Sequence, residues 1–452
     1  MTIEQNRANP LQHDPTGAFT VTNRVVLSIA VPMTLAYLTT PLLGITDTAV
    51  VGQLGDAALL GGLAVGAIAF DVVFSTFNFL RSATTGLVAQ AIGRGDRIEE
   101  QAVFWRAFAI AVVVGVVIML AAPLVIAAAD WFVAPAPRVA EAMATYIAIR
   151  VLSAPLALIN YAVLGYVLGR GEGTIGLLLQ IVLNGTNIVL SIVLGLFLGW
   201  GMAGVAWGTV LAELAGVIAG AAVLAPRFRE AGPVPRSRLT DPAAFVAMLG
   251  LNRDIMIRSF VLLGAFALLT RQGAQFGTLT LAANAVLMNF FLVNGFFLDG
   301  FATAAEQLAG RAIGARYAPA FHRAVSLTAW WGFALAFVLT ALFLACGTEL
   351  IALITTAEDV RALAAAYLPW AAFTAISGVL AFQMDGVFIG ATWSRDMRNM
   401  MLLSFALYVA SLWAFGSMFG NHGIWAALHV FLIARGISLY AVMRVRARAA
   451  FA

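Results

Sequence analysis

Long charge-free stretches recur along this sequence at nearly regular intervals, and no other feature constrains the fold as tightly. Between Arg106 and Asp130 no charged side chain occurs, and the run is mostly Val, Ile, Leu and Ala. A helix rises about 1.5 Å per residue, so roughly 20 such residues cross a hydrocarbon core about 30 Å thick. The gap from Glu172 to Glu213 is too long for one crossing and is broken by Gly195-Leu-Phe-Leu-Gly-Trp-Gly-Met-Ala-Gly204. The gap from Arg398 to Arg435 is broken around Gly416 to Gly423. The expectation is an all-α polytopic membrane protein of about twelve transmembrane helices. Their approximate spans are 24–51, 58–82, 103–128, 143–168, 175–198, 203–225, 244–271, 279–305, 324–346, 361–388, 398–418 and 423–443.

Composition agrees: 62% of residues are hydrophobic and 11% charged, against about 25% charged in soluble domains. All 26 basic residues are arginines, which excludes a Walker A lysine and Schiff-base chemistry. The single cysteine, Cys346, forms no intrachain disulfide. A net charge of +4 would suggest nucleic acid for a soluble chain, but here the arginines follow membrane topology. The polar opening, with His13, Asp14 and Pro15, lacks a signal-peptide pattern, so the first span is expected to insert uncleaved.

Arginines gather in alternate connections: Arg24, then Arg94 and Arg97, Arg170, Arg227 to Arg238, Arg311 to Arg323, Arg395 to Arg398, and Arg444 to Arg448. The other connections hold only Arg138, Arg271 and Arg361. The positive-inside rule then puts both termini in the cytoplasm, in an inner or plasma membrane. The loop from Pro226 to Pro242 reads as a linker, giving an N-lobe over 1–225, a cytoplasmic linker over 226–243 and a C-lobe over 244–452. Internal repetition supports two lobes. Ala91-Ile92-Gly93 recurs as Ala312-Ile313-Gly314, Tyr146 as Tyr367, and Gly165-Tyr-Val-Leu-Gly169 as Gly386-Val-Phe-Ile-Gly390, each pair 221 residues apart. An even number of spans per copy makes these parallel repeats about an axis along the membrane normal. The duplicated Gly-x-x-x-Gly pairs would let helices approach closely.

Within the first span stands a carboxylate, Asp47. A charge at mid-membrane costs about 2.5–3.5 kcal/mol on insertion scales, so intramembrane acids are functional candidates by default. Pro41, six residues earlier, removes a backbone donor and is a candidate hinge. A straight helix would carry Asp47 about 35 Å from Arg24, which would leave it at the far interface. Further buried polar candidates are Asp71, Arg81, Glu213, Arg258, Asn284, Asp299, Glu306 and Asp385. Asp299 and Glu306, seven apart, share a helix face; structural pairing with Arg81, Arg258 or one another would account for them equally well. Arg150 reads as a buried partner or a snorkelling arginine, and Met33 as a lining residue of a soft cavity. Four scattered histidines, no His-Glu-x-x-His and no Gly-x-Ser-x-Gly argue against catalysis.

Pro32 with Thr46-Asp-Thr-Ala-Val-Val-Gly-Gln-Leu-Gly55 resembles the first-helix motif of the multidrug and toxic compound extrusion (MATE) family. The likeness extends through Asn78-Phe-Leu-Arg-Ser-Ala-Thr-Thr-Gly-Leu-Val-Ala-Gln-Ala-Ile-Gly93, Leu281-Ala-Ala-Asn-Ala-Val286, Leu298-Asp-Gly-Phe-Ala-Thr-Ala-Ala-Glu306 and Asp385-Gly-Val-Phe-Ile-Gly390. Together these are similar to its DinF-like branch. The resemblance implies two six-helix lobes around a central cavity that exports organic, often cationic, compounds in exchange for protons or sodium. It implies that Asp47 is the protonation site, supported by Asn187 and Thr209 with Asn184 nearby. Two positions depart from the pattern. Ser191, which joins the expected proton-coupling set, stands where some members carry a second acid, and Leu43 where some carry a tyrosine. The resulting expectation is a monomeric drug/proton antiporter with a small-molecule substrate, a lipid bilayer as surroundings, no nucleic acid, no metal and no cofactor beyond the driving ion. The alternatives are sodium coupling, or export of an anionic or lipid-linked metabolite with Arg81, Arg150 and Arg258 lining the cavity. A membrane-embedded enzyme is the remote one.

Overall fold

A computed structural model of the protein describes residues 19–452, apart from the side chains of Asp71 and Ser75. The polar opening with His13, Asp14 and Pro15, and the side chain of Asp71, lie outside the described residues. Regular structure among the described residues is helical throughout, as backbone groups in hydrocarbon require when no barrel closes. The long helices are α1 (Asn23–Gly52), α2 (Ala57–Gly93), α3 (Arg97–Leu120), α4 (Pro137–Gly169), α5 (Gly173–Phe197) and α6 (Gly201–Ala231), then α7 (Pro242–Gln275), α8 (Thr278–Gly314), α9 (Ala318–Ile354), α10 (Glu358–Gly390), α11 (Ser394–Phe419) and α12 (Asn421–Phe451). Among the described residues, eleven of these are long and apolar enough to cross a membrane. The other, α7, is 34 residues long and carries Arg253, Asp254 and Arg258 in its first half.

Most helices outrun the spans drawn from charge windows, because a hydrogen-bonded helix continues past the first charged side chain. α2 runs on through Arg81 to Gly93, for example, with a turn at Asn78. One expected span is divided. The helix over 103–128 stops at Leu120 and restarts as Ala122–Val133. Pro123 causes this, since it has no N–H for the carbonyl of Met119 and its ring crowds that turn. Proline does not act so everywhere: α1 is helical throughout, Pro32 and Pro41 included.

The duplication is written in the backbone. Helix ends recur 221 residues apart at Ala57/Thr278, Gly93/Gly314, Arg97/Ala318, Pro137/Glu358, Gly169/Gly390 and Gly173/Ser394. Left-handed residues recur at the same interval: Gly95 (φ 70°) with Arg316 (51°), Gly171 (77°) with Thr392 (58°), and Gly199 (69°) with Gly420 (57°). A β-branched residue in that region is strained. Thr392 is held there by bonds, its hydroxyl donating to the Ala391 carbonyl at 2.7 Å and accepting from Gln90 Nε2 at 3.1 Å. The Gly-x-x-x-Gly pairs serve the close approach expected of them. A methyl on Gly165 would meet the Arg81 carbonyl at 2.5 Å, and on Gly386 the Ala302 carbonyl at 2.1 Å. These contacts also correspond at 221 residues, so α4 seats on α2 as α10 seats on α8.

Contacts divide the chain into two units. One comprises Leu35–Val88 and Asp96–Leu249. Its helix ends on the arginine-rich side are tied by ion pairs: Arg170 with Glu100 and Glu172, Arg227 with Glu172, and Arg106 with Glu99. The other comprises the segment ending at Thr34, Ala89–Gly95 and Gly250–Ala452. Its core gathers Leu287, Phe290, Phe343, Tyr408, Trp425 and Phe431. Within it, Val26, Ile29, Ala30 and Met33 of α1 are buried, and Gln90 Nε2 donates to the Gly390 carbonyl at 2.9 Å. In lipid such packing and hydrogen bonding, rather than water exclusion, hold helices together.

Candidate functional site

Asp47 projects from the last turns of α1 and is 7% exposed. Its neighbours Leu42, Ile45, Thr48 and Ala49 are exposed, while Val50 and Val51 are buried. Residues 47, 50 and 51 therefore form one face turned into the unit. Burial keeps the Asp47 carboxyl out of open water. Ser191 of α5 donates its hydroxyl to Asp47 Oδ1 at 2.8 Å.

Asn184, Asn187 and Ser191 lie on a single face of α5, at i, i+3 and i+7, and all three are buried. Asn184 Nδ2 donates to Thr39 Oγ1 at 2.6 Å, two helical turns before Asp47. Asn187 Nδ2 donates to Thr209 Oγ1 of α6 at 2.9 Å, and Thr209 donates to the Val205 carbonyl at 3.3 Å. The structure thus brings Asp47, Asn184, Asn187, Ser191 and Thr209 into one buried polar strip shared by α1, α5 and α6. Asn187 Oδ1 is a buried acceptor without a donor. Two features allow the close fit. Methyls on Gly204 and Gly208 would meet the backbone of Leu194 and Ser191 at 2.6 and 2.9 Å. Directly after Ser191, α5 ends in a wide π turn, Val193–Phe197, a feature common at functional sites. Pro41 is exposed on α1 beside this strip.

A second polar cluster lies in the same unit. Arg150 Nη1 donates to the Tyr146 hydroxyl at 2.7 Å, and its guanidinium lies 5.2 Å from the centre of the Phe70 ring. Asn160 Nδ2 donates to Glu213 Oε2 at 2.7 Å. Arg81 donates to Asn78 Oδ1 at 3.1 Å and to Ser82 Oγ at 2.9 Å.

In the other unit Arg258 meets Asp385, and Arg435 closes on the same carboxylate, its Nε at 3.3 Å. Of the arginines weighed as partners for the C-lobe acids, Arg258 pairs with Asp385. Asn284 accepts from Trp425 Nε1 and from Asn421 Nδ2, both at 3.0 Å. Glu306 is buried and Asp299 half-buried on α8, where Thr303 Oγ1 donates to the Asp299 carbonyl at 2.8 Å. Met33, read as a cavity residue, is fully buried in packing.

Sequence reasoning missed Thr39, Asn160, Asn421 and Arg435. Arg435 left a trace. It interrupts the final span and follows Asp385 by fifty residues, the interval that also joins Asp396 to Arg446. Thr39, Asn160 and Asn421 are ordinary polar residues of membrane helices and left none.

The MatE family model matches residues 32–193 and 255–413. Over 426 residues the chain is 35% identical to DNA damage-inducible protein F of Escherichia coli (strain K12), covering 94% of this chain and 93% of that protein. It is 26% identical over 428 residues to Protein DETOXIFICATION 44, chloroplastic, of Arabidopsis thaliana, covering 91% and 80%. Among solved structures, an outward-facing multidrug resistance MATE family transporter of the MOP superfamily superposes with a TM-score of 0.85 at 16% identity, covering 94% of this chain and 96% of that one. The Vibrio cholerae MATE transporter VcmN in its bent form gives 0.86 at 18% identity, covering 94% and 97%.

Proposed function

The chain belongs to the MATE family of membrane transporters, and from that premise we propose that it exports small organic molecules, cationic or amphipathic, in exchange for protons, with Asp47 as the proton-carrying group. The observation that carries this reading is a buried carboxylate bonded to a neutral hydroxyl, Asp47 to Ser191 at 2.8 Å. Such a group changes charge by gaining or losing one proton. A hard cation, by contrast, prefers several oxygen ligands, and the position where some relatives carry a second acid holds Ser191.

Export proceeds by alternating access, the working mode of transporters built from parallel repeats. With the termini in the cytoplasm, as the arginine distribution favours, exchange draws protons inward. One charge moving inward through 100 mV releases about 2.3 kcal/mol, enough to sustain roughly a forty-fold gradient of a neutral solute. One chain suffices as the working unit, since the strip is built entirely within Leu35–Leu249.

The test is efflux of a fluorescent organic cation from proteoliposomes under a pH gradient, with a sodium gradient as the second arm. Asp47→Asn should insert normally and lose at least tenfold in pH-driven efflux. Undiminished efflux in D47N rejects the role of Asp47, and efflux that follows only the sodium gradient replaces the proton by sodium.

A further inference from the structure

The short helix Ala122–Val133, which follows the break at Pro123, is apolar apart from Asp130, yet none of its residues is buried. Trp131 and Phe132 near its end are each 83% exposed. Aromatic side chains gather at membrane–water interfaces, so this end marks the interface and the Pro123 end reaches into hydrocarbon. On its far side α4 is seated tightly on α2, since methyls on Gly62 and Gly66 would meet Ala142 and Tyr146 at 2.5 Å. Between α4 and the loosely packed short helix a groove of about 620 Å³ stays open, within the range of about 300–1,000 Å³ that holds a drug-sized ligand. One wall is Ala122, Ile126 and Asp130, and the other Ala140, Ala144 and Ala148, both at i, i+4 and i+8. Eight residues of helix rise about 12 Å, which sets the length of the groove. Met119 and Met143 complete it, with unbranched, polarisable side chains that adapt to varied shapes.

Among the described residues that line the groove, Asp130 alone carries a charge, and it is exposed at the interfacial end. It makes no ion pair among the described residues, and Arg138, the nearest arginine in sequence, is taken by Asp56 at 3.0 Å. The groove therefore joins apolar walls within hydrocarbon to one negative charge at the edge of water. A neutral amphiphile gains nothing from that charge, and an anionic head, a phospholipid phosphate included, is repelled by it. An organic cation with an apolar body matches both parts.

We propose that this groove binds amphipathic organic cations, the apolar body lying between the short helix and α4 and the cationic head resting at Asp130. The ligand class is that of the proposed export substrates and rests on that reading. The groove shares no residue with the strip around Asp47, so it is a holding site at the membrane surface, apart from the transport site.

The experiment is photolabelling of the full chain in phosphatidylcholine vesicles with dodecyltrimethylammonium carrying a diazirine on its chain, followed by mass-spectrometric mapping. Dodecanol and dodecyl sulfonate bearing the same diazirine are the uncharged and anionic comparators. The cation should label segments 119–127 and 140–152 at least about fivefold more than either comparator, the weight of one charge pair at about 4 Å in water. Excess unlabelled cation should compete this labelling away. Asp130→Asn should remove the preference, and Ala144→Phe, which fills the groove, should remove the labelling. Equal labelling by the three probes overturns the proposal, as does a preference that survives in D130N or an absence of label from both segments. Should A144F fail to accumulate in the membrane, D130N decides alone. Labelling is read without transport, so the two readings fail separately: a chain that exports anions while its groove still selects the cation loses the substrate reading and keeps the groove.

Discussion

Two acid–arginine pairs fifty residues apart, Asp385 with Arg435 and Asp396 with Arg446, offer a matched test of what burial does to an ion pair. The first is enclosed: the Arg435 side chain is 3% exposed, Asp385 10%, and Arg258, on the same carboxylate, 17%. The second lies open, with Arg446 51% and Asp396 21% exposed. Asp385→Asn keeps the shape but removes the carboxylate that both guanidinium groups share. Breaking a buried pair in this way costs about 3–5 kcal/mol, while an exposed pair is worth about 0–1 kcal/mol. Asp396→Asn should therefore be nearly silent. At about 1.4 kcal/mol per tenfold, the D385N loss exceeds a hundred-fold in the unfolding constant. Equilibrium unfolding in mixed micelles with a denaturing surfactant, followed by fluorescence of the ten tryptophans, reads both variants. The triple change of Arg258, Asp385 and Arg435 to Met, Leu and Met should recover most of the loss, because the three charges that meet there are removed together. Equal losses in D385N and D396N would refute the reasoning.

Two further predictions stand beside that for Asp47. Ser191→Ala removes the hydroxyl that donates to Asp47, and a carboxylate loses about 1–1.5 kcal/mol more by this than a neutral carboxyl does. The acid then keeps its proton to higher pH, so the efflux profile should move up by about one pH unit; no movement would remove Ser191 from the site. Gly390→Ala puts a methyl 1.9 Å from the Glu306 carbonyl, and such overpacking costs about 1–3 kcal/mol. Gly185→Ala, with nothing within 4 Å, should cost nothing in the same unfolding assay, and equal effects would contradict the close contact.

Periodic charge-free windows made the helices legible, because a membrane tolerates few other solutions, and the interval of 221 made the duplication legible before any backbone was seen. Helix ends were less so. A charge marks where side chains leave hydrocarbon, not where hydrogen bonding stops, which is why α2 continues past Arg81 to Gly93. Asp47 stood out by cost alone, and Asn184, Asn187 and Thr209 through family resemblance. Ser191, counted in the proton-coupling set although it departs from that pattern, is the residue bonded to Asp47. Pairings between distant helices stayed hidden: nothing in Asn160 or Asn421 alone names Glu213 or Asn284 as its neighbour, since both depend on how helices rotate against each other. That Arg258 and Arg435 meet on Asp385 was hidden for the same reason.

The π turn at Val193–Phe197 has a geometric corollary for the serine two residues upstream. An α-helix advances about 100° per residue, and a π turn stores one residue beyond that pitch. Tightening it would turn the chain that follows, toward Gly199, by roughly that angle relative to the rest of α5 while exchanging backbone bonds rather than abandoning them. The hydroxyl that donates to the Asp47 carboxylate thus sits two residues from a place where α5 can change its pitch at little cost in backbone bonds.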